Sequence, residues 1–206
     1  MEEAAPVYPA LWVASRDGQT EKVRQLLAEE VDIEEKGGPH ASAPLKEASG
    51  HGHVVVVLLL LEHGADVSVK NIRGASPLHY ATLEGLAETM FLLLHHGADV
   101  SATDELGWTP LHHAAVRGRV KVVQLLLEHG ADLQLRNSQG QTPEDMATFR
   151  SQLEVAAMIK AEEVRREELR MAQCVAFAMG HQERLGTRSW VQELDAGVVR
   201  MVLEQV

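Results

Sequence analysis

"GWTPLHHAAVRGRVKVVQLLLEHGAD", residues 107–132, holds two helices and the punctuation between them. Thr109 is a good N-cap, its hydroxyl able to accept from a first-turn N–H. Pro110 fits the first helical position, where its fixed φ suits a helix and its missing N–H costs nothing. Gly118 ends this short helix, and "RVKVVQLLLEH" starts a second. Its Val120, Val122, Val123, Leu125, Leu126 and Leu127 cover most of the circumference, so it must be covered on several sides. Gly130 then supplies a residue free to take positive φ, and the extended "ADLQLRNSQG" leads out of the unit.

The same unit recurs along the chain. "GAD" returns at Gly64, Gly97 and Gly130, and the helix-opening proline at Pro44, Pro77, Pro110 and Pro143, both at a spacing of 33. No unit can bury its helices alone, so the units must stack. "GASPLHYATLEG…LLLHHGADV" and "GWTPLHHAAVRG…LLLEHGADL" resemble ankyrin repeats, and the resemblance extends over roughly residues 8–165. "LWVASRDGQTEKVRQLLAEEVDI" matches as a first, divergent repeat and "SQGQTPEDMATFRSQLEVAAMI" as a fifth. The resemblance implies an all-α ankyrin-repeat solenoid of about five stacked helix-turn-helix units with β-hairpin-like loops, plus a C-terminal helical extension. The expected domains are residues 1–165, with repeats at approximately 8–37, 38–70, 71–103, 104–136 and 137–165, and an extension at 166–206.

Composition agrees with helix packed on helix. The 206 residues are 45% hydrophobic but only 4% aromatic, so the core is built mainly from Leu, Val and Ala. A net charge of -11 argues against nucleic acid and anionic membrane as partners, because both need a basic surface. Residues 1–35 hold nine acids against three bases, which reads as a solvated acidic cap. Cys174 is the single cysteine, excluding an intramolecular disulfide and a cysteine-based zinc site. "MEEAAPVYPALW" lacks the basic and apolar regions of a signal peptide. "VVVVLLLL" at residues 54–61 is far short of the roughly 20 residues of a membrane span and reads as a buried helix. The expected setting is intracellular, cytoplasmic and/or nuclear.

The eleven histidines mostly obey the repeat. His79 and His112 occupy the Thr-Pro-Leu-His position, where the resemblance implies a structural hydrogen bond. His63, His96 and His129 precede the glycine that ends each second helix, near the negative pole of its dipole. His40 and His51 fall outside both slots and could share a rim, although solvated polar residues are the plainer reading. No catalytic motif appears, so neither an enzyme, a metal nor a cofactor is expected. Asn71 and Asn137 fill the loop slot held by Asp104, where a short polar side chain holds a turn. The asparagine often hydroxylated in such repeats is here Ser68, Ser101 and Gln134.

Local stability is uneven by the same reading. Ala43 stands where Ser76, Thr109 and Thr142 cap, a loss of about 1 kcal/mol. Gly37, Gly38, Gly50 and Gly52 lie nearby, so the junction of repeats one and two is the expected weak point. The fifth repeat opens Thr142-Pro143-Glu144-Asp145, whose acids favour the positive end of the helix dipole.

In proteins resembling this one, contacts come from loop tips and from the ends of first helices. Those slots assign partner binding to Ile72, Arg73, Leu83, Leu106, Trp108, Val116, Arg117, Phe149 and Arg150, an apolar patch with arginines beside it. Helical pattern continues from Ser151 to a stop at Gly180, with Val155, Ile159 and Val164 extending the stack and Glu162, Arg166 and Arg170 spaced for ion pairing. A last amphipathic segment, "WVQELDAGVVRMVLEQV", reads as a lid on the repeats or as a docking helix, with a faint likeness to the opening helix of an F-box. The function expected is non-enzymatic binding of a protein partner by a chain monomeric on its own. The alternative is an adaptor, such as a ubiquitin-ligase substrate adaptor, using the tail as a second site.

Overall fold

The structure, a computed structural model, describes residues 8–185. Helices α1 (Ala10–Arg16) and α2 (Thr20–Ala28) form the first unit, and α3 (Pro44–His51) and α4 (Val54–Glu62) the second. α5 (Pro77–Glu84) pairs with α6 (Ala87–His95), α7 (Pro110–Arg117) with α8 (Val120–Glu128), and α9 (Pro143–Phe149) precedes the long α10 (Leu153–Leu185). Among the described residues there is no strand, only an isolated antiparallel bridge between Gly37 and Ser42.

The helices begin where the caps are. The Thr109 hydroxyl accepts the His112 N–H at 3.3 Å and the Thr142 hydroxyl accepts the Asp145 N–H at 3.2 Å. Asp145 replaces histidine in the fifth unit and returns the bond, its carboxylate accepting the Thr142 N–H at 2.9 Å. Ala43 gives α3 no side-chain cap.

First helices stack in chain order from α1 through α9, and second helices from α2 through α8. Leu45, Leu78 and Leu111 fill the first row; Val57, Leu60, Met90, Leu93, Val123 and Leu126 fill the second, all without solvent exposure. One polar link is added between units. His79 accepts the Ser76 N–H on Nδ1 at 3.2 Å and, through Nε2, donates to the Trp108 carbonyl at 3.1 Å. His112 repeats this with the Thr109 N–H at 3.1 Å and the Gln141 carbonyl at 3.0 Å. Both bonds are made at once only by the neutral ring protonated on Nε2.

Several expectations change. Trp12 takes the histidine slot of the first unit and is buried, its indole lying on Gly37 and Gly38. A Cβ on Gly37 would stand 2.8 Å from that ring, so glycines that look like a source of looseness are positions the ring requires. Gly37 and Ser42 also exchange two backbone hydrogen bonds of 3.0 Å, while Ala43 leaves α3 without a side-chain cap. α4 is not buried all round: Val55 points to solvent. Val155 and Ile159 are buried as expected, but Val164 is exposed. The compact repeat unit ends at Ile159.

From Lys160 onward α10 is described by itself. Gly180 does not stop it, because one interior glycine costs about 1 kcal/mol and strong helix formers flank it. Glu162 pairs with Arg165 at 2.6 Å and Arg166 at 2.7 Å, which holds its carboxyl down at about 2. Arg170 instead donates to the Arg166 carbonyl at 3.4 Å. The last amphipathic segment, residues 190–206, lies outside the described residues. Among those described, no helix is long and apolar enough to cross a membrane.

One slot marks the end of the array. Gly18, Gly52, Gly85 and Gly118 close the first helices with φ between 63° and 78°. A side chain from the next unit rests against each: His53, Leu86, Arg119 and Gln152 in turn. Ser151 fills this slot in the fifth unit at φ 58°, where a side chain is disfavoured by about 1 kcal/mol. Ser151→Gly is expected to raise unfolding stability by about 1 kcal/mol in urea titration, whereas Gly118→Ser, facing Gln152, lowers it by more. Equal and negligible effects would show that the left-handed backbone at this slot costs nothing.

A second expectation concerns pH. Burial pushes the His79 imidazole down from an ordinary 6.5 to about 4, and lowers His112 likewise. The unfolded chain therefore binds more protons between about 4 and 6.5, and stability falls as pH drops through that window. Urea midpoints at constant ionic strength should show a loss of about 2 kcal/mol from His79 between about pH 7 and pH 5. His79→Gln should be less stable at neutral pH but lose part of that slope.

Candidate functional site

The loop tips are built by one short polar side chain each. Asn71 Oδ1 accepts the N–H groups of Arg73 and Ala75 at 3.0 and 3.1 Å. Asp104 Oδ1 accepts those of Leu106 and Trp108, both at 2.9 Å, and Asn137 Oδ1 those of Gln139 and Gln141 at 2.9 and 3.0 Å. Successive tips are then tied together through the backbone. The Ile72 N–H donates to the His40 carbonyl at 3.3 Å, Glu105 to Arg73 at 3.0 Å, and Ser138 to Leu106 at 2.9 Å. A row of tips held this way presents its side chains outward at fixed spacing.

The tips at Asn71 and Asp104 are also braced to their own first helices by the residue after the histidine slot. Asn71 Nδ2 donates to the Tyr80 hydroxyl at 3.0 Å. In the next unit His113 Nε2 meets Asp104 Oδ2 at 3.2 Å. Burial lowers the His113 imidazole, opposed by the Asp104 carboxylate beside it. Lys46 Nζ lies 3.7 Å from the Tyr80 ring centroid and pairs with Glu47 at 2.9 Å, so that buried cation has both an ion pair and an aromatic face.

Between the tips and first helices of repeats two to four lies a groove of about 450 Å³. Arg73, Leu83 and Leu106 line it, with His40, Tyr80 and His113. Ile72, Leu106 and Phe149 are the exposed apolar side chains of the expected set, at 64%, 54% and 74%. Arg73, Arg117 and Arg150 are exposed beside them, and Val116 is half-buried. Val116, Arg117, Phe149 and Arg150 sit at the ends of α7 and α9 and do not line this groove.

Trp108 answers to two constraints. It is half-buried, its ring 5.0 Å from that of His113 and 6.2 Å from that of His112. Its N–H is held by Asp104 and its carbonyl accepts from both His79 Nε2 and the Asp104 N–H. The residue is a half-buried loop stem. Tyr80, Asp104 and His113 belong to the site and are absent from the expected set. A signal for them is present in the sequence, since the paired residues Asn71/Tyr80 and Asp104/His113 are both nine apart.

His63, His96 and His129 each bond through Nδ1 to the carbonyl four residues earlier, at 2.8 to 2.9 Å, and so finish their helices. His51 does the same with Glu47 at 2.9 Å and stacks on His53 at 6.0 Å, while His40 lines the groove. Among the described residues no group of three or more His, Cys, Asp or Glu side chains could hold a metal. The groove carries a cation, carboxylates and apolar side chains in fixed positions, which suits recognition of a polypeptide surface.

Known proteins share this geometry's sequence pattern. A family model described as "Ankyrin repeats (3 copies)" matches residues 11–104 and 78–166. "Palmitoyltransferase AKR1" of Lachancea kluyveri is 41% identical over 61 residues, 30% of this chain but only 8% of that protein. The chain thus spans less than a tenth of that relative's length.

The brace can be tested apart from any partner. Asp104→Ala removes the acceptor of two N–H groups and is expected to cost about 2 kcal/mol in urea unfolding. Asp104→Asn, the residue of the sister slots, should recover most of that loss. Equal losses in both would show that the bond between its carboxylate and His113, not the turn, is what Asp104 supplies.

Proposed function

The chain belongs to the ankyrin-repeat family, whose repeats are protein-interaction modules, and from that premise we propose that it binds another protein through its loop tips and the adjoining groove, without catalysis. The observation that carries this reading is the exposure of Ile72 and Leu106 on tips whose backbone is fixed by Asn71 and Asp104. Apolar side chains on rigid tips bury area against a partner at small entropic cost. Arg73 in the groove and Arg117 beyond it add directional donors, suited to carboxylates and backbone carbonyls. The net charge of -11 supports a protein rather than a nucleic acid, and an intracellular setting accords with the lone Cys174.

A second reading makes the region beyond Ile159 a further docking site, as an adaptor requires. Exposed Leu169 and Met171 on α10 favour it. Affinity capture from cell extract, read by mass spectrometry, separates the two. Leu106→Asp combined with Arg117→Glu is expected to reduce capture of the partner at least about ten-fold, with unfolding unchanged. Full retention by that variant, together with loss on deleting the extension at residues 166–206, would overturn the groove reading and leave the adaptor.

A further inference from the structure

The polar side chains that line the groove of repeats two to four differ in what they already bond. Asp104 is spent, with Oδ1 on the Leu106 and Trp108 N–H groups and Oδ2 on His113. His79 is spent too, one ring nitrogen on Ser76 and the other on Trp108. Open among the described residues are the Arg73 guanidinium, the His40 ring and the hydrogen of the Tyr80 hydroxyl, whose oxygen accepts from Asn71 at 3.0 Å. All three can donate. Although acids outnumber bases 30 to 19 in this chain, Arg73 has no ion pair among the described residues. Its neighbour Glu105 gives it only a backbone bond, from the Glu105 N–H to the Arg73 carbonyl at 3.0 Å. The exposed Glu105 carboxylate is the one lining acid left open.

These groups are also ordered along the groove. One tip slot holds His40, Arg73 and Leu106 in successive repeats, each two residues past the turn position at Gly38, Asn71 and Asp104. Backbone bonds tie the tips together in that order. The side of His40 and Arg73 therefore offers donors, and the side of Leu106 offers apolar surface, with Leu83 in the same lining. We propose, resting on the groove reading above, that the partner enters as an extended segment with an acidic side chain on Arg73 and an apolar side chain on Leu83 and Leu106. An Asp or Glu carboxylate takes the guanidinium fork in two parallel bonds and keeps lone pairs for a further donor. A neutral or basic side chain at that place would cover Arg73 without pairing it, which costs affinity. Glu105 sets the direction. Its charge repels a carboxylate at the Leu106 tip, so the acid stands on the His40 side of the apolar residue.

A random peptide library displayed on phage and selected on the full chain supplies the probe. Enriched peptides are expected to share an Asp or Glu at a fixed spacing from an aliphatic or aromatic residue. Fluorescence anisotropy then measures one such peptide as a free, labelled molecule. Arg73→Gln, or the amide in place of the peptide's acid, is expected to weaken binding about ten-fold, and the two together no more than either alone. Arg73→Glu should turn the selection toward Lys and Arg. Arg73 and Leu106 are exposed, so their variants keep the fold, as circular dichroism verifies. Leu106→Asp should abolish binding of every enriched peptide. Peptides lost on Leu106→Asp that carry no acid, or that ignore Arg73→Gln, overturn this proposal and leave the groove reading standing. Peptides indifferent to Leu106→Asp, or a selection that enriches nothing, overturn both.

Discussion

A ring nitrogen that must find a carbonyl 29 residues away organises much of this molecule. His79 and His112 each hold the start of their own helix on one nitrogen and the stem of the next loop on the other. The wrong tautomer breaks both bonds and a protonated ring breaks the one accepted at Nδ1, so burial and neutrality are part of the fold's chemistry. Once the stem at Trp108 or Gln141 is fixed, the tip beyond it can be fixed too. Together with the packed core and the backbone bonds between tips, these directional bonds hold the register in which the tips line up.

The groove inherits that order and then departs from it. Frame positions such as Leu45, Leu78 and Leu111 repeat because each meets the same neighbours. The brace between tip and first helix varies: a hydroxyl takes the proton of Asn71, whereas a carboxylate at Asp104 meets an imidazole. Both pairs hold the tip in the same place and show a partner different chemistry. Recognition is written at positions where the backbone requirement is met in more than one way.

Much of the fold is legible in the sequence because its signals are local and repeated. Thr109-Pro110 opens a helix wherever it stands, and a spacing of 33 leaves little choice but stacking. The features that escape such a reading all depend on a neighbour distant in the chain. Gly37 and Gly38 look loose until Trp12 lies on them, and Val55 looks buried until the register of α2 and α8 shows which way it faces. Val164 has helical spacing but no repeat to meet. In the site, the slots of Arg73, Leu83 and Leu106 are enough to place them in the groove. Tyr80 and His113 resemble frame residues, and only their bonds to Asn71 and Asp104 distinguish them.

Ser151 bears on how such an array can lengthen. A tandem duplication of residues 104–136 would bring its own Gly118 and Arg119, and so a unit whose every neighbour fits. An identical copy set after the fifth unit would bring its Arg119 counterpart onto a serine where the other units offer a glycine. The array thus fits a new unit better from within than at this slot, and a single hydroxymethyl group makes the difference.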